Sequence, residues 1–290
     1  MKLVTTRREL RERVAGWRRS GETIGFVPTM GYLHEGHLSL VDRARELAGR
    51  VVLSVFVNPL QFGADEDLES YPRDLERDRG MAGARGVDLL FAPSTSELYP
   101  FGELRVAVVP ERGEDRLCGR SRPGHFRGVL TVVAKLFGIV QPDLAVFGQK
   151  DYQQQLLIRW MVRDLDLPVR VETVPVAREP DGLAMSSRNR YLSGEERGRA
   201  LALYQALERC EQLYRQGERS AAAVSSAMRE VLARPGVELE YAEVAHPRTL
   251  EPLDEVGADG AVCAVAARVG GTRLIDNTIL ANAKDVAHAV

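Results

Sequence analysis

The stretch Phe26-Val-Pro-Thr-Met-Gly-Tyr-Leu-His-Glu-Gly-His-Leu-Ser-Leu-Val41 runs out of an apolar, β-branched segment, through a glycine-punctuated turn, into a helical pattern. A strand that delivers its chain straight into a helix is the building unit of an α/β sheet. Outward from it the same alternation repeats. Apolar runs at 24–27, 51–57, 87–91, 104–109, 144–147 and 169–174 are separated by amphipathic stretches after Gly36, at 74–84, at 129–140 and from 151 to 162. These spacings predict an α/β fold, a Rossmann-like doubly wound parallel sheet of five or more strands.

The pattern changes near Asp181-Gly182. From Gly194 two charged, alanine-rich stretches, 195–216 and 220–233, carry helical periodicity. Three short strands follow at 237–244, 261–269 and 272–275, the last two joined by Gly270-Gly271. The expected organisation is a catalytic domain over 1–178 and a smaller α+β C-terminal domain over 179–290, which suits a chain of 290 residues.

Composition narrows the function. The 39 basic and 41 acidic residues give a net charge of -2, without the electrostatic footprint of a protein that grips a polynucleotide backbone. A small substrate is expected, and no nucleic acid. Cys118, Cys210 and Cys263 are too widely spaced for a zinc site or a disulfide framework, which suits a reducing compartment. The N-terminus turns charged before a signal-peptide core can form, and no apolar run reaches about 18 residues. A cytoplasmic protein with no membrane partner is therefore expected. Four lysines stand against 35 arginines, so Lys150, inside a motif, is conspicuous.

Three polar clusters carry chemistry. In the first, His34 and His37 flank Gly36 at the strand-to-helix turn. A glycine there admits a phosphate close to the backbone, a helix N-terminus favours anions, and two imidazoles can stabilise charge on a reacting phosphate. A zinc pair, or a capped helix start with two solvated histidines, fits the same letters, although no residue nearby completes a metal set. In the second, Phe147-Gly-Gln-Lys-Asp-Tyr-Gln-Gln154, Gly148 permits a turn, Lys150 offers a point charge and Asp151 can accept from ribose hydroxyls. An ordinary glycine turn with Asp151 as N-cap is the competing reading. In the third, Asp181-Gly-Leu-Ala-Met-Ser-Ser-Arg-Asn-Arg-Tyr-Leu-Ser193, Ser186, Ser187 and Arg188 can wrap a polyphosphate, or serve merely as a polar linker. A second substrate would find neutral amides in Asn58, Gln61 and Gln154, and anion donors in Arg122 and His125 of Arg122-Pro-Gly-His-Phe-Arg-Gly128. A surface loop capping the following helix explains Arg122 and His125 equally.

With Tyr71-Pro-Arg73 added, these blocks, in this order and over essentially the whole chain, resemble the pantothenate synthetase family, the pantoate:β-alanine ligases of coenzyme A biosynthesis. That family is in turn similar to class I aminoacyl-tRNA synthetases in its nucleotidyl-transfer core. The resemblance implies ATP with Mg2+ as substrate, and no tightly bound cofactor. ATP would lie along Met30, Gly31, Tyr32, Leu33, His34, Glu35, Gly36 and His37, along Gly148, Gln149, Lys150 and Asp151, and along Met185, Ser186, Ser187 and Arg188, with the backbone of Ala177 on the adenine side. It assigns the catalytic roles to His37, as proton donor, and to the phosphate-binding His34, Lys150, Ser186, Ser187 and Arg188. Gln61 and Gln154 would bind pantoate, and Gln61 would border β-alanine. Gln149 stands where glutamate is common and Ala177 where valine is common. The acidic stretch Asp74-Leu-Glu-Arg-Asp78 lies where some relatives hold a divalent ion, and no protein-held metal is expected here.

The implied reaction has two steps: (R)-pantoate attacks the α-phosphorus of ATP to form pantoyl adenylate and pyrophosphate, and the β-alanine amine then displaces AMP. The C-terminal domain would act as a lid, and the family implies a homodimer. The rivals are another adenylate-forming enzyme and a nucleotide-binding regulatory module. The absence of a basic appended domain speaks against the first, and the second polar pocket against the other.

Overall fold

Strands that are apolar along their whole length need cover on both faces, and parallel sheets supply it through their crossover helices. The computed structural model describes residues 1–64 and 66–281. In chain order the first elements are β1 (Lys2–Val4), α1 (Arg7–Arg19), β2 (Ile24–Thr29), α2 (Glu35–Leu47), β3 (Arg50–Val55), α3 (Leu75–Ala84), β4 (Leu89–Phe91) and α4 (Thr95–Leu98). Then follow α5 (Leu117–Ser121), α6 (His125–Val140), β5 (Leu144–Gly148), α7 (Tyr152–Asp164) and β6 (Arg170–Val174). The six strands form one parallel sheet in the order β1-β4-β3-β2-β5-β6. Its core includes Phe26, Leu53, Leu89, Leu90 and Phe91, all fully buried. From β2 the chain winds outward to β3 and β4, and on the other side to β5 and β6. The switch point therefore lies between β2 and β5, paired at Gly25↔Leu144 and Phe26↔Ala145. Ligands bind at the carboxyl ends of strands flanking such a point.

The last elements are α8 (Gly194–Arg215), α9 (Ala221–Leu232), β7 (Glu238–Ala245), β8 (Ala261–Val269) and β9 (Thr272–Leu280). The strands make an antiparallel sheet, β7-β8-β9. Its core joins Leu203, Leu207 and Cys210 of α8, Val224 and Met228 of α9, and Cys263 and Val265 of β8. Gly270 and Gly271 have φ of 55° and 81°, as a two-residue hairpin loop needs.

Two compact units result. The first comprises Met1–Glu114, Arg122–Gly148 and Leu157–Val174; the second takes in Asp115–Ser121, Gln149–Leu156 and the chain from Pro175 onward. No helix among the described residues is long and apolar enough to cross a membrane.

Two features of the first unit differ from expectation. Residues 104–109 form no strand, because the free side of β4 is taken by the N-terminal β1. Val106 and Val109 are instead 81% and 52% exposed, and the segment is tied down where the Val108 amide donates to Thr131 Oγ1 at 3.0 Å. The strand β1 and the helix α1, unanticipated by the alternation, complete the sheet edge.

Candidate active site

In the first unit β2 ends at Thr29, whose Oγ1 donates to the Ser54 carbonyl and accepts from the Gly31 amide at 3.1 Å. Gly31 and Tyr32 follow with φ of 84° and 51°. A Cβ at Gly31 would come within 2.6 Å of Val55 Cγ1, so only glycine fits. The turn is then pinned from α3. Asp78, 1% exposed, accepts from the Tyr32 amide through Oδ2 and from the Leu33 amide through Oδ1, both at 2.7 Å. Burial pushes the Asp78 carboxyl above its ordinary value, against the pull of these two amides.

That geometry sets the surroundings of the loop expected to meet the nucleotide. The amides of Tyr32 and Leu33 are occupied by Asp78, and the Leu33 side chain is core. Glu35 is exposed and paired with Arg85. His34 caps α2, its amide donates to His37 Nδ1 at 3.3 Å, and the two rings lie 4.0 Å apart between centroids. The histidines are thus held as a pair at the helix N-terminus. Asp74 caps α3 by accepting from the Arg77 amide, so both aspartates of the acidic stretch accept from backbone amides. Among the described residues no group of three His, Cys, Asp or Glu has metal-binding geometry.

The 3₁₀ turn Pro59–Gln61 follows β3. Asn58, 1% exposed, uses its whole amide on the protein: Oδ1 accepts from Tyr99 OH at 2.8 Å and the Leu60 amide at 3.3 Å, and Nδ2 donates to the Gly128 carbonyl and to Gln61 Oε1. One of these bonds holds Gln61, whose Nε2 lies 3.1 Å from Met30 Sδ. Arg122 and His125 are likewise turned inward. The Gln61 carbonyl meets Arg122 Nη2 at 3.2 Å and His125 Nδ1 at 2.8 Å, and Arg122 Nε donates to Glu66 at 2.6 Å. Burial raises the Glu66 carboxyl, but the hydrogen bond and charge of Arg122 outweigh it and hold it below the ordinary value. Arg122, expected as an anion donor, is ion-paired with Glu66. Gly148 ends β5 with space for a Cβ, whose nearest neighbour would be Leu40 Cδ2 at 4.0 Å, so the protein itself does not demand glycine there.

In the second unit Gln149–Asp151 form a 3₁₀ turn at the head of α7. The Lys150 ammonium and the Gln154 amide make no hydrogen bond or ion pair among the described residues, and Asp151 is exposed. The Ala177 carbonyl accepts from the Met185 amide at 2.9 Å, closing a hairpin with the Arg178–Ala184 bridge. Ser186 Oγ accepts from the Arg188 amide at 3.3 Å and starts the 3₁₀ turn Ser187–Tyr191. Asn189 ties that turn to the hairpin through Glu179 Oε1 and the Ala184 carbonyl.

The sequence profile of the family described as pantoate-beta-alanine ligase matches residues 2–279. The chain belongs to this family. Pantothenate synthetase of Moorella thermoacetica is 53% identical over 281 residues, covering 97% of this chain and 99% of that protein. The crystal structure of pantothenate synthetase from Thermus thermophilus superposes with a TM-score of 0.91 at 52% identity, over 97% of this chain and 100% of that one. A family member from Francisella tularensis, solved in complex with beta-gamma ATP and beta-alanine, has a TM-score of 0.80 at 32% identity, with 96% and 97% coverage. The fold of the family, a parallel sheet with a small antiparallel C-terminal sheet, is the fold described above.

Two residues of structural consequence, Asp276 and Asn277 in β9, lie outside every motif, and Asp78 entered only as the end of an acidic stretch. Gly128 was visible only as the last letter of a block. A Cβ there would stand 2.1 Å from the Leu60 carbonyl oxygen and 2.7 Å from the Gln61 nitrogen, so α6 and the Gln61 turn touch backbone to backbone.

Proposed function

We propose that the chain condenses (R)-pantoate with β-alanine, consuming ATP and releasing AMP and pyrophosphate. In the first step a pantoate carboxylate oxygen forms a bond to the α-phosphorus, and pyrophosphate leaves. In the second the β-alanine nitrogen attacks the acyl carbon of pantoyl adenylate, AMP leaves with the electron pair of the acyl–oxygen bond, and the nitrogen sheds a proton. No protein nucleophile takes part. The chain's task is alignment and charge stabilisation. His34 and His37, Lys150, Ser186, Ser187 and Arg188 donate to phosphate oxygens, with His37 also the proton donor. Gln61 and Gln154 hold pantoate through their neutral amides. Mg2+ travels on the nucleotide as part of the substrate. A homodimer in the cytoplasm belongs to the same reading.

The observation that carries this proposal is Gln61: a primary amide fixed beside Met30, in the unit that holds the histidine pair, is what a second, polar substrate requires. A nucleotide sensor has no use for it. The test is AMP release from ATP with (R)-pantoate, with and without β-alanine. AMP should accumulate catalytically only when all three substrates are present. Equal turnover with an amino acid in place of pantoate would overturn the assignment.

A further inference from the structure

A buried amide on a strand is costly unless every polar atom is satisfied. Asn277 in β9 is 3% exposed, and its side-chain bonds all go to one dipeptide. Its Nδ2 donates to the Gln149 carbonyl at 3.0 Å and to the Lys150 carbonyl at 2.9 Å, and its Oδ1 accepts from Gln149 Nε2 at 3.2 Å. Two successive carbonyls held by one nitrogen fix two successive peptide planes, and so the direction in which the Lys150 side chain leaves the backbone. The ammonium itself has no hydrogen bond or ion pair among the described residues, although its charge acts on the Asp276 carboxyl next to Asn277. The neighbouring Asp276 holds Asn277 itself, accepting from its backbone amide at 2.8 Å while bound to both terminal nitrogens of Arg178 at 2.6 and 3.1 Å.

We propose that Asn277 is a positioning residue for adenylate formation, acting through Lys150 by orienting its backbone toward the ATP phosphates. The proposal rests on the reading of Lys150 as a phosphate donor, and its test separates the two. Pantoate-dependent exchange of labelled pyrophosphate into ATP, without β-alanine, reports the first step alone. It is measured for Asn277→Ala, for the isosteric Asn277→Asp, which cannot donate, for Lys150→Ala, and for each Asn277 change combined with Lys150→Ala. Melting temperatures are followed in parallel.

Each Asn277 variant should lose about tenfold or more in kcat/KM for ATP, the scale of two forfeited hydrogen bonds. On the Lys150→Ala background the same change should add less than about twofold, because residues that act through one another are not additive. Wild-type exchange in both Asn277 variants, with a clear loss in Lys150→Ala, overturns the positioning role and leaves Lys150 standing. Unchanged exchange in Lys150→Ala overturns the phosphate reading and the proposal with it. Losses that multiply across the two backgrounds assign Asn277 to general packing and also overturn it. Should Asn277→Ala not fold, Asn277→Asp decides alone.

Discussion

Replacing Gly128 by alanine isolates the placement of Gln61 from its chemistry. The added Cβ would stand 2.1 Å from the Leu60 carbonyl oxygen, 2.4 Å from its carbon and 2.7 Å from the Gln61 nitrogen, where ordinary contact begins at 3.4 Å. All three obstacles are backbone atoms, so no side chain can swing aside. The turn must retreat from α6 by more than 1 Å, carrying Gln61 with it and stretching the bond from Asn58 Nδ2 to the Gly128 carbonyl, now 3.1 Å. Overpacking of this kind costs about 1 to 3 kcal/mol of stability. Misplacement of a substrate-holding group by about 1 Å costs about 10²-fold in rate. Gly138 in the same helix provides the control: its Cβ would meet nothing within 4 Å, and alanine there should raise stability by about 0.5 to 1 kcal/mol with activity unchanged. The assay is AMP release at varied pantoate and at varied ATP, alongside thermal melts. Gly128→Ala should lose kcat/KM for pantoate and keep its KM for ATP within about twofold. A folded Gly128→Ala protein with wild-type pantoate kinetics would refute the claim that this backbone contact sets Gln61.

Two further perturbations follow from the same unit. Asp78→Asn keeps the shape but can accept only one of the Tyr32 and Leu33 amides, turning an N–H toward the other; a loss of about 1 to 3 kcal/mol in stability is expected, with a fall in turnover because the histidine turn loosens, and an unchanged melting temperature would count against it. The Glu66 carboxyl is held below its unfolded value, so its contribution is present above that value and lost as pH falls through the depressed folded one. Glu66→Gln should therefore lower stability near neutrality by about 1.5 to 3 kcal/mol yet flatten the decline below about pH 4.5, and parallel acid melting curves for the two proteins would contradict this.

Legibility in the sequence followed the range of each interaction. The strand-to-helix passage at Phe26 to Val41 and the Gly270-Gly271 hairpin declare themselves through neighbouring residues, and both stand in the structure. Residues 104–109 alternate like a strand, but pairing depends on a vacant edge, and the three-residue β1 occupies it from the far end of the chain. The candidate contacts Lys150, Gln154, His34 and His37 were visible because each sits where a strand passes into a helix. Their supports were not. Asp78 reaches across 45 and 46 residues to the loop, and Asn277 across 127 to Lys150, distances over which no periodicity or turn rule applies.

The distribution of satisfied and unsatisfied groups has its own logic. Asp78, Asn58 and Asn277 are all at least 97% buried, and each bonds to a residue within two positions of one proposed to meet substrate, or to that residue itself. As sources of stability they are poor choices, since a buried neutral hydrogen bond returns little beyond the desolvation it offsets. What they provide is fixed geometry. Lys150 and Gln154, in contrast, have no bond within the described protein to surrender when a ligand arrives. A donor that breaks nothing on binding, yet is held from behind by a group that cannot move, meets developing charge without reorganising, and reorganisation is the cost that a preorganised site avoids. The determinants of rate should accordingly extend one layer behind the substrate, to residues that never touch it.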